Sequence, residues 1–176
     1  SAGATPIQNV GAYGQEVADT IASVRVFDRQ SATVRELGPA ECGFAYRTST
    51  LQGTPVIVVR ARFRGRQGDR AEAVRRIKEM ANERAAKQPL AQPNTGSIFR
   101  NPPGDFAGRL IEAAGLKGHR IGGAVVSEKH ANFIVNADDA TAQDIWDLMQ
   151  VCQREVKARL GVDLVPEVER VGEWVT

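Results

Sequence analysis

A chain of 176 residues with a formal charge of only +2 argues against a dedicated nucleic-acid binder, whose phosphate contacts demand a strong excess of Lys and Arg. Its 42% apolar residues suffice for a real core, which sets intrinsic disorder aside and allows one ordinary domain or two small lobes. No apolar run approaches a membrane span and no charged-then-apolar leader opens the sequence, so a soluble cytoplasmic protein without a membrane partner is expected.

The opening Ser1–Gly14 is a Gly-rich loop without an initiator Met, and a fragment or a processed product that begins inside a domain is expected. Ile21 to Phe27 alternates by two, Asp28 to Ala32 carries turn residues, and Thr33 to Leu37 suits a returning strand. Pro55 to Phe63 is apolar at first and alternating later, the strongest strand signal in this half. Character changes at Gly65 to Gly68. Asp69 with Glu72 three residues on has capping-box spacing, and Val74, Ile77 and Ala81 share one face of the helix that follows. Pro89 ends it, and a boundary between lobes is expected between Gly65 and Pro93.

Beyond it the pattern is that of a compact α/β unit. Asp105 is expected to cap a short helix carrying Phe106, Leu110, Ile111 and Ala114 and stopped by Gly115. Ala124 to Val126 and Asn132 to Asn136 are predicted strands. Thr141 and Asp144 open the clearest helix, with Ile145, Leu148, Met149, Cys152, Val156 and Leu160 as its buried stripe and Gly161 as its stop. Val162 to Val165 and Val168 to Val171 are short strand candidates around Pro166-Glu167.

Cys42, Cys152, His119 and His130 fit neither a disulfide framework nor a metal-ligand spacing, so reduced thiols and no metal are expected. Several polar segments remain. Pro6 to Gly14 mixes glycines with side-chain amides, which suits either close approach of a flat or phosphorylated ligand or an ordinary turn. Tyr46-Arg47 sets a phenol beside a guanidinium, whose planar fork suits a carboxylate or phosphate, or equally a surface salt bridge. Gly96 to Gly104 gathers Ser97, Arg100 and Asn101 in one loop. Ser97 is then a nucleophile or proton donor, or a turn residue; the Gly-x-Ser-x-Gly elbow is absent. His130 has the residue type to titrate near neutrality, or to hydrogen-bond locally to backbone. Glu167, between two apolar stretches, is either an acid/base group or a solvated turn residue. The Arg and Lys residues between Arg60 and Lys87 form a solvated helix face or a nucleic-acid surface.

The order PIQNVGAYG, CGFAYR, GSIFRNP, GRLIEAAGLKG, GGAVVSEKHANFIVN and VPEVERVG resembles the MurB family, the UDP-N-acetylenolpyruvoylglucosamine reductases, across essentially the whole chain. The resemblance implies an α/β (α+β) fold. Residues 1–65 would be the tail of a vanillyl-alcohol-oxidase-like FAD-binding region, 66–93 a helical connector, and 94–176 the substrate-binding C-terminal lobe. It implies FAD as cofactor, NADPH as electron donor and UDP-N-acetylglucosamine enolpyruvate as substrate, in a step of peptidoglycan precursor synthesis. Pro6, Gln8, Asn9, Gly11, Ala12 and Tyr13 match the family's loop near the flavin ring. Arg47 matches the residue that holds the enolpyruvyl carboxylate, with Tyr46 beside it. Ser97 matches the proton donor, Glu167 the active-site glutamate and Asn101 a substrate-contacting amide. Arg100, in GSIFRNP, and His130, in GGAVVSEKHANFIVN, are further substrate-binding candidates. The family's segments for the FAD diphosphate and adenosine have no counterpart here, which makes a remaining N-terminal part of the same enzyme the expected partner. The short stretch between Arg47 and Val56 resembles the subclass without a long tyrosine-bearing loop.

Overall fold

The computed structural model describes residues 2–173, which fall into two compact units, Ser1–Asp69 and Arg70–Thr176. Both combine helix with small antiparallel sheets, an α+β arrangement. Among the described residues no helix is long and apolar enough to cross a membrane.

In the first unit, β1 (Gly11–Ala12) and β2 (Gln15–Glu16) form a hairpin closed by Tyr13-Gly14. Both turn residues have positive φ, 54° and 76°, as a two-residue turn must to match strand twist. The expected loop is thus a hairpin with a defined tip. After α1 (Val17–Thr20), β3 (Ile21–Asp28), β4 (Thr33–Leu37) and β5 (Val56–Phe63) make an antiparallel sheet in the order β4-β3-β5. Asp28 Oδ1 closes the β3–β4 turn by accepting from the amides of Gln30 at 2.9 Å and Ser31 at 3.2 Å. The alternation seen in the sequence buries Val24 and Val26 against Val17, Leu37, Cys42 and Leu51. The opposite face of β3 carries Arg25, paired with Glu36 at 3.3 Å.

The second unit opens with α2 (Arg70–Lys87), in which no residue is buried. Val74 and Ile77 are 43% and 66% exposed, and its charges pair along the helix, Arg75 with Glu79 and Lys87 with Glu83. The core lies farther on. There α3 (Ala107–Ala113) and α4 (Ala142–Leu160) pack with the sheet β6-β7-β8, formed by Arg120–Ile121, Ala124–Val126 and Ile134–Asn136. Thr141 and Asp144 form the expected capping box, the Asp144 amide donating to Thr141 Oγ1 at 3.1 Å and the Thr141 amide to Asp144 Oδ2 at 2.9 Å. Gly161 ends α4 in the left-handed region at φ 72°. Leu148, Met149, Cys152 and Val156 are its buried stripe, and both cysteines are free and buried.

Four local expectations differ. Leu160 is 39% exposed, because the last turn of α4 runs past the core. The predicted strand at Asn132 starts two residues later, at Ile134. Val162 to Val165 and Val168 to Val171 form no strands; one bridge, Phe99 to Pro166, replaces them. Pro166 has no amide to donate, and the pairing runs through its neighbours, from the Arg100 amide to Val165 O at 2.9 Å and from the Glu167 amide to Ile98 O at 2.7 Å. Finally, α3 starts after Phe106 rather than from an Asp105 cap. Asp105 is taken by Arg109, which holds its carboxyl down to about 2, while Asn101 Oδ1 accepts from the Ala107 amide at 3.1 Å.

Candidate functional site

Ile98 and Phe99 are 0% and 1% exposed, and they anchor the short segment between Ser97 and Asn101. One edge of this segment pairs with residues 165–167 as described above. The other edge meets Asn132. The Ile98 amide donates to Asn132 O at 3.0 Å. The buried Asn132 side chain then mimics a strand: its Oδ1 accepts from the Phe99 amide at 3.0 Å, and its Nδ2 donates to Phe99 O at 2.8 Å. Ser97 and Asn101 therefore flank a backbone fixed on both sides, while both remain exposed themselves.

These two residues line a cavity of about 450 Å³ together with Phe106, Gly108, Arg109, Glu112, Lys129, His130, Ala131 and Asn132. Most of its charged groups are engaged elsewhere. Arg109 pairs with Asp105, Glu112 lies 2.8 Å from Lys117, and Lys129 Nζ donates to Ala85 O at 2.6 Å. His130 is half-buried and packs edge-on against Phe133. Its Nδ1 accepts from the Asn132 amide at 3.2 Å, which leaves the ring proton on Nε2. Burial lowers its pKa, and Lys117 adds to that shift, so the ring is neutral at neutral pH. A cavity with a hydroxyl, amides and a neutral imidazole suits a hydroxyl- and carbonyl-rich ligand.

Glu167 and Arg100 do not line this cavity. Glu167 is half-buried, with its backbone tied to Ile98. Arg100 is half-buried, and its Nε is buried with no hydrogen-bond partner.

In the first unit, the Ala45–Thr48 turn is closed by reciprocal backbone bonds of 3.1 Å, with Tyr46 and Arg47 at its tip. Arg47 has φ 55°, an uncommon state for a residue with a long side chain. Its Nη2 donates to Gly11 O at 3.1 Å, its Nη1 lies 3.9 Å from Glu16 Oε1, and its guanidinium carbon sits 4.9 Å from the Tyr46 ring centre. Asn9 is 1% exposed, and its side chain is spent inside the protein. Nδ2 donates to Glu16 Oε2 at 2.7 Å and to Ala45 O at 3.0 Å, and Oδ1 accepts from the Ala18 amide at 2.9 Å. Pro6 is buried and Gln8 half-buried, whereas Ala12 and Tyr13 are exposed. The structure thus gathers Asn9, Gly11, Tyr46 and Arg47 in one unit, and Ser97, Asn101 and His130 in the other.

Residues 88–171 match the family described as UDP-N-acetylenolpyruvoylglucosamine reductase, C-terminal domain. A protein of Symbiobacterium thermophilum named UDP-N-acetylenolpyruvoylglucosamine reductase 2 is 49% identical over 167 residues, covering 95% of this chain and 54% of its own length. A namesake reductase of Lactiplantibacillus plantarum is 44% identical over 175 residues, 99% of this chain and 58% of its own. The crystal structure of UDP-N-acetylenolpyruvylglucosamine reductase (MurB) from Thermus caldophilus superposes with a TM-score of 0.78 at 36% identity, over 92% of this chain and 57% of that one. The chain therefore spans about half the length of the curated relatives it matches.

Sequence reasoning missed three residues. Asn132 stood inside a predicted strand, and only the fold reveals it as the clamp on Phe99. Gly108 had no signal beyond its glycine identity; a Cβ there would sit 3.1 Å from His130 Cε1. Glu16 follows the Gly-rich loop in sequence and reaches Asn9 and Arg47 in space. For the flavin that the resemblance implies, the residues present fit a flat ring. The hairpin leaves Ala12 exposed beside Tyr13, itself 52% exposed, while Pro6 and Asn9 are buried in the same unit.

Proposed function

We propose that this chain forms the C-terminal part of a cytoplasmic, flavin-dependent reductase. With NADPH as electron donor, it converts UDP-N-acetylglucosamine enolpyruvate to UDP-N-acetylmuramate in peptidoglycan precursor synthesis. The observation that carries this reading is the relationship, over nearly the whole chain, to proteins named for that reductase. The polar cavity beside Ser97 supports it, because a UDP-sugar offers the hydroxyls and carbonyls that such a lining recognises.

In this reading residues 1–65 complete a flavin-binding region, 66–93 connect, and 94–176 bind the UDP-sugar. Pro6, Gln8, Asn9, Gly11, Ala12 and Tyr13 hold or support the flavin ring. The chemistry that bound FAD supplies is hydride delivery to the enolpyruvyl carbon, after reduction by NADPH. Arg47, with Tyr46 against it, binds the substrate carboxylate and stabilises the negative charge that develops on it. Ser97 then gives its proton to the neighbouring carbon. A hydroxyl is a weak acid, but an enolate-like carbon is a strong enough base to take its proton. The substrate gains one hydride and one proton in all. Glu167, the active-site glutamate of this reading, stabilises the same developing charge, and Asn101, Arg100 and His130 contact the UDP-sugar, His130 as a neutral donor through Nε2.

Substrate-dependent loss of NADPH absorbance, measured on the protein with this chain joined to the further length its relatives carry, tests the proposal. Ser97→Ala should abolish turnover and leave flavin absorbance in place. Normal steady-state rates in that variant would remove Ser97 from the proton-donor role. The half-length coverage also favours a second reading, a unit that binds the UDP-sugar without catalysis. A colourless preparation of this chain, after incubation with FAD, that still binds the UDP-sugar would select that reading for the chain alone.

A further inference from the structure

We propose that Glu16 is a positioning residue for Arg47. It fixes the guanidinium in the orientation that meets the substrate carboxylate, and the proposal rests on the assignment of Arg47 to that carboxylate.

The Glu16 carboxylate is divided between two tasks. Oε2 accepts from the buried Asn9 side chain at 2.7 Å, and Oε1 faces Arg47 Nη1 at 3.9 Å. Asn9 is itself immobilised by Ala45 O and the Ala18 amide. The Glu16 backbone is held as well, its amide donating to Asp19 Oδ2 at 2.7 Å. The carboxylate is therefore an immobile negative charge, set beside the cation by the turn of the chain from β2 into α1. The cation is confined on its other sides. Nη2 donates to Gly11 O, the Tyr46 ring lies against the guanidinium, and a Cβ on Gly11 would come within 2.9 Å of Nη1. The arginine thus meets the hairpin at Gly11, where a side chain would crowd it.

Stability does not explain this arrangement. The Arg47 and Glu16 side chains are 22% and 35% exposed, and partly exposed pairs at such separations contribute little to folding. Arg47 also holds a left-handed backbone at φ 55°, a local cost that sites tolerate where a side chain must be aimed. A pre-aimed cation needs no reorganisation as charge develops in the transition state. An arginine free to swing binds the ground-state carboxylate as well and the transition state worse. The proposed effect of losing Glu16 therefore falls on kcat rather than on KM.

The test is a double-mutant cycle on reductase turnover in the full-length protein, with Glu16→Gln, Arg47→Lys and the double variant. Glu16→Gln keeps the oxygen that accepts from Asn9 and removes the charge that faces Arg47. The expected result is a loss in kcat of about tenfold, as misaligned catalytic groups produce, with the substrate KM little changed and flavin absorbance retained. In the Arg47→Lys background the same change should cost nothing further. Glu16→Asp, which keeps the charge on a shorter stem, should recover part of the rate and guards against misfolding of the first variant. An unchanged kcat in Glu16→Gln, or an equal loss in both backgrounds, overturns the positioning role. A parent protein without reductase turnover overturns the functional reading beneath it, and the positioning role with it.

Discussion

Truncating Asn132 to Ala should cost about 2–6 kcal/mol of folding free energy, since it strands two buried backbone groups at about 1–3 kcal/mol each. The two groups are the Phe99 amide and carbonyl, which the Asn132 side chain satisfies at 3.0 and 2.8 Å. Phe99 is 1% exposed and Asn132 3% exposed, so bulk water cannot take over either bond without opening the core. The Ile98–Asn132 backbone bond survives the substitution, which is why local loosening rather than rearrangement is expected. Urea unfolding followed by circular dichroism gives the loss directly. Asn132→Asp is a sharper form of the same experiment. It keeps the acceptor for the Phe99 amide but turns a carboxylate oxygen toward the Phe99 carbonyl, so at neutral pH it should destabilise at least as much as alanine. A loss below about 1 kcal/mol in Asn132→Ala, the net value of an ordinary hydrogen bond, would refute the claim that this side chain holds the Ser97–Asn101 segment in place.

Three further outcomes follow from the same geometry. Gly108→Ala puts a methyl 3.1 Å from His130 Cε1 and 3.4 Å from Nδ1; it should cost about 1–3 kcal/mol as overpacking does, and shift the His130 ring resonances in NMR spectra. Burial pushes the Cys152 thiol up to about 12. The reactive thiolate is then scarce at neutral pH, and iodoacetamide labelling followed by peptide mass spectrometry should leave Cys152 unmodified until the chain is unfolded. Backbone and side-chain hydrogen bonds with Thr141 lower the Asp144 carboxyl, so its stabilisation is present above the unfolded-state pKa and is lost as pH falls through the lower folded value. Asp144→Ala should therefore flatten the acid limb of the stability profile, and Thr141→Ala should cost about 1 kcal/mol through the lost cap.

Features set by neighbouring residues were legible in the sequence. The α4 helix announced itself by Thr141 and Asp144 at one end and Gly161 at the other, and β3 by the alternation that buries Val24 and Val26. What escaped depends on partners far apart in the chain. Asp105 has the residue type and place of a cap, but Arg109 one turn on captures its carboxylate, and Asn101 supplies the acceptor at the start of α3. Val162 to Val171 has the composition of two strands, yet the edge it meets is only the Ile98–Arg100 stretch, and one bridge at Pro166 uses it up. The same holds for the candidate site. The motifs put Ser97, Asn101 and His130 forward by residue type. The bond across 33 residues from Asn132 to Phe99 that sets Ser97 beside the cavity has no signal in either segment alone. Asn9 is an instructive case, since its amide suits a ligand by type and is instead spent on Glu16, Ala45 and Ala18.

The central claim is that the cavity beside Ser97 receives the UDP-sugar, and amide NMR of this chain during titration with UDP-N-acetylglucosamine enolpyruvate tests it most directly. The account predicts saturable shifts concentrated at residues that line the cavity, among them Ser97, Asn101, Gly108, His130 and Asn132. Saturable shifts confined to other parts of the chain, or none at concentrations that saturate the reductase, would contradict it.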